Sequence, residues 1–178
     1  MLITGKTVFL RAIEEKDFIS ISKSFQDEEI LYMTGTRTLL NMEQIKMAHR
    51  NFSNDSTRYD FAICSQESGQ ILGDLSISEI DIDNKKAMFR IALHSTEKHG
   101  RGYGTEATKL ALRFTFEELK LNRLELQVFS HNIRGIRAYE KAGFIKEGIL
   151  RQALFMNGTY SDEIIMSVIK KDYELNDN

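Results

Sequence analysis

Two short stretches carry residues whose types and spacing suit chemistry. The first, HGRGYGTEA at residues 99–107, sets glycines at 100, 102 and 104 directly before TKLALRFTFEELK, a run with helical spacing. Glycines let backbone amides come close to a ligand, and a helix start adds unpaired N–H donors and partial positive charge. A phosphate or pyrophosphate suits such a loop; the alternative is an ordinary glycine-rich connection. The second stretch, HNIRGIRAYEKAGF at residues 131–144, puts Asn132 and Tyr139 seven residues apart. On a helix they share one side, about 10.5 Å apart along the axis. One could grip an extended ligand while the other reaches its far end. Taken alone, the pair reads more readily as an N-cap and a packed aromatic.

Other chemistries find no anchor. GYGTEA, Gly102 to Ala107, matches the dinucleotide pattern G-x-G-x-x-A, with Glu125 downstream at about the distance of a ribose-binding acid. That pattern needs a parallel βαβ unit with a strand directly before its first glycine, whereas three antiparallel strand-like runs come first here. GKT at residues 5–7 lacks the glycine that a phosphate-binding lysine loop requires five residues earlier. His49, His94, His99 and His131 show no metal-ligand spacing, so no metal is expected. A G-x-S-x-G nucleophile elbow is missing as well. The remaining reading is an anion held by backbone amides, with chemistry that needs no protein nucleophile.

The elements that must position these residues follow from pattern. With 178 residues, 42% of them hydrophobic, and no proline, linker or repeat to divide the chain, residues 1–178 read as a single domain. The 24 basic and 26 acidic residues are intermixed, which gives no basic field for nucleic acid. Cys64, the single cysteine, sits in the apolar run DFAICS and reads as a buried thiol. With neither a signal peptide nor a membrane-spanning stretch in view, a cytoplasmic protein is expected. The N-x-S/T matches at Asn51, Asn54 and Asn157 are therefore read as chance. KTVFLRAI alternates as a strand; EEKDFISISKSFQ and NMEQIKMAHRNFS have helical spacing, separated by an irregular stretch near residues 30–40. RYDFAICS, QILGDLSISEIDI and KAMFRIALH form an antiparallel meander. After the glycine loop, Tyr103, Ala107, Leu110, Ala111 and Phe114 fall on one helical stripe. A strand RLELQVF, a short helix ended by Gly143, and two strands around Asn157-Gly158 close the chain. The expected order is β α α β β β α β α β β.

Taken together, the glycine loop and the pattern N-x-x-x-x-x-x-Y-x-K-x-G-F resemble the GNAT superfamily of acetyl-CoA-dependent N-acetyltransferases. Their spacing, the opening elements and the closing GILRQALFMNGTYSDEIIMSVI are similar to the branch holding ribosomal-protein alanine and spermidine acetyltransferases. The resemblance covers nearly the whole chain. It implies an α/β (α+β) single-domain fold with a mixed, largely antiparallel twisted sheet flanked by helices. It also implies that the acyl-CoA pyrophosphate rests on His99, Gly100, Arg101, Gly102, Tyr103, Gly104 and Thr105. Backbone at Ala92, Leu93 and His94 would pair with pantetheine, Asn132 would touch the pantetheine arm, and Tyr139 would protonate the departing thiolate. His99 departs from the glutamine or arginine that usually opens this loop, so altered affinity is expected there.

Members of this family transfer the acetyl group directly to an amine, with no acyl-enzyme intermediate. The acceptor must first lose a proton, which at pH 7 costs about 4 to 5 kcal/mol for an alkyl ammonium but only about 1 kcal/mol for an α-amino group. A protein N-terminus, a polyamine and an aminoglycoside or other small amine all stand as candidates. A non-catalytic acyl-CoA-binding module on the same fold is the competing class. Asp74, Glu79 and Glu97 are the carboxylates near the expected cleft, and none is assigned as the base. Acceptor binding is expected within residues 24–57, where Asp27, Glu28 and Glu29 either attract a polycation or sit solvated at a helix end. An exposed edge strand permits a homodimer.

Overall fold

A computed structural model describes residues 1–95 and 100–176. The chain opens with a hairpin, β1 (Leu2–Thr4) and β2 (Val8–Ala12), and continues through three helices, α1 (Phe18–Ser24), α2 (Glu28–Thr34) and α3 (Met42–Ser53). The meander β3 (Tyr59–Ser65), β4 (Ile71–Asp81) and β5 (Lys86–Leu93) follows. Next come α4 (Tyr103–Arg113), β6 (Arg123–Phe129) and α5 (Ile133–Ala142). The hairpin β7 (Ile145–Met156) and β8 (Thr159–Ile169) leads into a final helix, α6 (Lys170–Asn176). No helix among the described residues is long and apolar enough to cross a membrane.

Among the described residues the strands form one sheet in the order β1-β2-β3-β4-β5-β6-β8-β7, and the only parallel neighbours are β5 and β6. This is the mixed, largely antiparallel sheet that the sequence led us to expect. Three elements depart from the expected order. The three-residue β1 buries only Ile3, and α6 follows the last strand. In the stretch near residues 30–40, read as irregular, α2 is a helix. It is too short for periodicity to register, but Asp27 caps it by accepting from the amides of Glu29 (3.0 Å) and Ile30 (3.1 Å). The stronger signal at α3 is a capping box, in which Asn41 and Gln44 bond reciprocally at 2.9 Å.

Strand alternation sends side chains to two faces of the sheet. On one face, Phe61, Ile63, Leu75, Ile77 and Phe89 join the stripe Ala107, Leu110, Ala111 and Phe114 of α4 in the hydrophobic core. On the other, Asp60, Asp74, Arg90 and Ala92 face a hollow lined also by α1 and α3. The β7–β8 turn uses Asn157 (φ 51°) and Gly158 (φ 79°), both in the left-handed conformation that a tight hairpin requires.

One irregularity in the sheet creates the space for a site. β5 and β6 pair only through Lys86–Met88 and Arg123–Glu125. Beyond that point β5 stays with β4 as far as Leu93, while β6 stays with β8 as far as Phe129. The two strands therefore diverge into a wedge. Its closed end is fastened by Arg123, which donates to Glu125 (2.7 Å), to Glu147 (2.8 and 2.6 Å) and to Ser167 (3.0 Å). The Arg123 and Ser167 hydrogen bonds hold the Glu147 carboxyl at about 2, well below its ordinary range.

Candidate active site

At the open end of the wedge lies a cavity of about 470 Å³. Ala92 and Leu93 of β5 form one wall, and Gly100, Gly102, Tyr103, Gly104 and Thr105 lie at the start of α4. Asn132 and Tyr139, on α5, complete it. The two stretches picked out by residue type thus line one space. Arg101 is exposed and does not line it, and His99 and Glu97 lie outside the described residues.

The helix start is built for backbone contact. Gly102 precedes α4 at φ 83°, a conformation in which a side chain is strained, and no side chain caps the helix. The amides of its first turn are left for a ligand, with the helix dipole favouring negative charge. A Cβ on Gly104 would meet only Leu93 Cδ1, at 3.9 Å, so a larger residue there would occupy the cavity itself. Behind this turn, Glu106 accepts from the amides of Lys6 and Thr7 and from the Thr7 hydroxyl, tying α4 to the β1–β2 turn.

Strand alternation divides the three residues singled out from sequence, Ala92 and Leu93 of β5 and His94 just after it. The His94 amide donates to the Leu72 carbonyl at 2.9 Å, so it is already spent within the sheet. Antiparallel pairing then turns the backbone groups of Ile91 and Leu93 toward the wedge, where β6 has left. The His94 side chain is buried on the opposite face from the core. Its Nε2–H donates to Asp74 Oδ1 at 2.7 Å, and Nδ1 lies 2.9 Å from the Ser20 hydroxyl. Burial pushes the Asp74 carboxyl up, but the His94 hydrogen bond and the Arg90 guanidinium at 3.3 Å outweigh it and hold Asp74 below its ordinary value. Of the other carboxylates considered, Glu79 is exposed at a positive-φ position in β4.

Asn132 and Tyr139 are held differently. Asn132 caps α5 by accepting from the Gly135 amide at 2.9 Å, while its side-chain NH₂ donates to the Met33 carbonyl of α2 at 3.3 Å. A Cβ on residue 135 would strike the Asn132 amide at 2.8 Å, so glycine is required beneath it. Two further contacts fasten α2 to the start of α5: an ion pair between Arg134 and Glu29, and His131, stacked on Tyr32, bonding to its carbonyl at 2.8 Å. Tyr139 packs edge-on against Phe89, and burial pushes its phenol up to about 12. Among the described residues no hydrogen-bond partner holds that hydroxyl.

Sequence reading passed over three residues of the cleft. Arg134, Arg137 and Lys141 of α5 line it. Their spacing of three and four puts them on one helical face, a signal present in IRGIRAYEK. Together with the α4 start they give the cleft a cationic rim suited to phosphate groups.

A second cavity of about 130 Å³ occupies the opposite face of the sheet, between α1, α3 and strands β3 to β5. It falls largely within the region expected to bind an acceptor. Ile30, Thr34 and Ala92 line both cavities, so the two meet across β5 and α2. The acidic trio lies elsewhere: Asp27 caps α2, Glu29 pairs with Arg134, and neither lines the second cavity. No cluster of three or more potential metal ligands occurs among the described residues.

The sheet is split at one strand pair with a glycine-led helix at the mouth of the split, and the profile of the acetyltransferase (GNAT) domain matches residues 7–145. The chain belongs to that family. It is 33% identical over 177 residues to the SPbeta prophage-derived uncharacterized N-acetyltransferase YokL of Bacillus subtilis, covering 97% of this chain and 96% of the relative. It is 36% identical over 170 residues to the spermidine N(1)-acetyltransferase of Escherichia coli K12, covering 96% and 90%. The crystal structure of spermidine N-acetyltransferase from Vibrio cholerae in complex with CoA and spermine superposes with a TM-score of 0.88 at 24% identity, over 96% of this chain and 99% of that one.

Proposed function

We propose that this protein moves an acetyl group from acetyl-CoA to a primary amine. The observation that carries this reading is the meeting of the two cavities at Ile30, Thr34 and Ala92. A thioester reaching up the wedge and an amine arriving from the opposite face of the sheet would converge there. The cationic rim and the free backbone donors of the cleft support acetyl-CoA as the donor, which would supply an electrophilic acyl carbon joined to a sulfur leaving group. The first-turn amides of α4 would hold its pyrophosphate, with Arg137 and Lys141 alongside, and the free backbone edge at Ile91 and Leu93 would hold its pantetheine arm.

The neutral amine would form the new N–C bond, its nitrogen would give up a proton to solvent as the C–S bond breaks, and the departing sulfur would take a proton. Tyr139 is the residue for that last role. It lines the cleft, no partner among the described residues holds its hydroxyl, and a phenol raised to about 12 stays protonated at neutral pH. Asn132 serves by seating α2, since both ends of its amide are already engaged.

A buried Cys64 thiol, pushed up by burial and hence inert, suits a cytoplasmic setting. The edge strand β7 leaves Ile145, Ile149 and Leu150 exposed, and a homodimer would form along it. Light scattering on the purified protein tests the dimer. The acetyl transfer itself is tested by CoA release with α-amines, polyamines and aminoglycosides. Release above the solvent rate with any of them supports the reading, and its absence throughout would leave a binding module in its place.

A further inference from the structure

We infer that the second cavity takes a primary monoamine carrying a compact apolar body, one ring or branched chain in size, and disfavours polyamines. The inference rests on the acetyl-transfer reading above. Three observations support it.

The first is lining and size. Phe18, Ile21, Phe25, Ile45 and Phe52 make most of the wall apolar. Its 130 Å³ is close to the ~150 Å³ of an apolar cavity that accepts benzene in another protein. Burying such a body is favourable through the apolar area removed from water.

The second is charge. Two carboxylates line the cavity, and each already has a cation. Arg58 donates to Asp60 at 2.7 Å and lies 3.9 Å above the Phe52 ring; Arg90 bonds to Asp74 at 3.3 Å. The four charges cancel. A polyamine would bring several ammonium groups beside Arg58 and Arg90 with no unmatched carboxylate to receive them, and desolvating an unpaired charge is costly.

The third is position. Asp74 pairs in register with Ala92, one of the residues common to both cavities. One ammonium arriving at the junction therefore meets one carboxylate. Its partner Arg90 is half-exposed and can turn to solvent, whereas Arg58 is held against Phe52. The site has room for one positive charge followed by an apolar body.

The test is kcat/KM from CoA release by the full chain, comparing 2-phenylethylamine and isoamylamine with spermidine and spermine. A preference for the monoamines of at least about 10-fold is expected. Equal or greater kcat/KM for the polyamines overturns the acceptor class while leaving acetyl transfer intact. No release with either class, from protein that calorimetry shows to bind acetyl-CoA, overturns the acceptor class, and the transfer reading falls with it only if α-amines and aminoglycosides give no release either. Arg90→Gln removes the guanidinium from Asp74, leaving the His94 hydrogen bond, and should narrow the preference by about threefold or more. An unchanged ratio in a variant with wild-type melting temperature would count against charge matching as its source.

Discussion

The two cavities that meet at Ala92 are built from different materials. The larger offers backbone as well as side chains: the amides opening α4, the unpaired edge of β5 and a glycine at 104 where a larger residue would fill the space, beside Arg137, Tyr139 and Lys141. The smaller is made of side chains from α1, α3 and three strands, with its charges matched in pairs. A backbone site recognises groups common to every substrate of the class and tolerates change around it. A side-chain site sets which partner is accepted, and single substitutions retune it.

Filling the backbone site should have the largest effect. Gly104→Val places a branched side chain between α4 and Leu93, and acetyl-CoA binding should be lost in calorimetry while the fold survives. Gly102→Val should act likewise but with some loss of stability, because residue 102 sits at φ 83°. Retained affinity in a folded Gly104→Val protein would remove the backbone account of the cleft.

Next in size is Tyr139→Phe. It keeps the packing on Phe89 and removes only the hydroxyl, so kcat should fall roughly 10- to 1,000-fold with little change in acetyl-CoA affinity. A kcat within about twofold of wild type would exclude Tyr139 as the acid. The wild-type pH profile gives a companion test. Because the phenol is held at about 12, the rate should rise as the acceptor amine deprotonates and show no falling limb from tyrosine ionisation up to about pH 10. A fall beginning near neutrality would point to a different acid.

Asn132→Ser sharpens the contrast between the two sites. The serine oxygen can still cap α5, but the donor to Met33 is gone. The acceptor KM should rise by roughly 2- to 10-fold, in line with a net loss of about 0.5 to 1.5 kcal/mol, with the acetyl-CoA KM nearly unchanged. If the acetyl-CoA KM moves instead, Asn132 touches the pantetheine arm directly.

The smallest effect belongs to the closed end of the wedge. Glu147 has its folded pKa depressed to about 2, so its contribution is present above the unfolded value near 4.3 and is lost as pH falls toward 2. Its side chain is 41% exposed, which limits the contribution to about 1 kcal/mol or less. Glu147→Gln should lower the melting temperature by a few degrees at pH 7 and by almost nothing near pH 2, with kcat unaffected.

Legibility in the sequence followed the same division. The glycine loop and the Asn132–Tyr139 helix could be read because backbone sites leave local marks, a crowding of glycines and a fixed helical spacing. The helix α2 escaped because seven residues span too few turns to show a period, although Asp27 carried its capping signal. The second cavity could be read only as a region, residues 24–57; its charged pairs could not, because Asp60, Asp74 and Arg90 meet the residues of α1 and α3 only through sheet register. His94 fell between the two. Its place beside the cleft followed from the strand, but strand alternation aimed its side chain at Ser20 and Asp74 on the other face.

The fastening of α2 to α5 would link the two proposed substrates thermodynamically. Ile30 and Thr34 are walls of both cavities, and the helix that carries them is seated through Glu29, Tyr32 and Met33 on the start of α5. Whatever steadies that seat for one substrate steadies it for the other, and such coupling is reciprocal by necessity. Acetyl-CoA should therefore tighten the binding of a dead-end acceptor analogue by the same factor by which the analogue tightens acetyl-CoA. Asn132→Ser should shrink both factors together in paired titrations, and a factor of one in the wild-type protein would show that the shared wall transmits nothing.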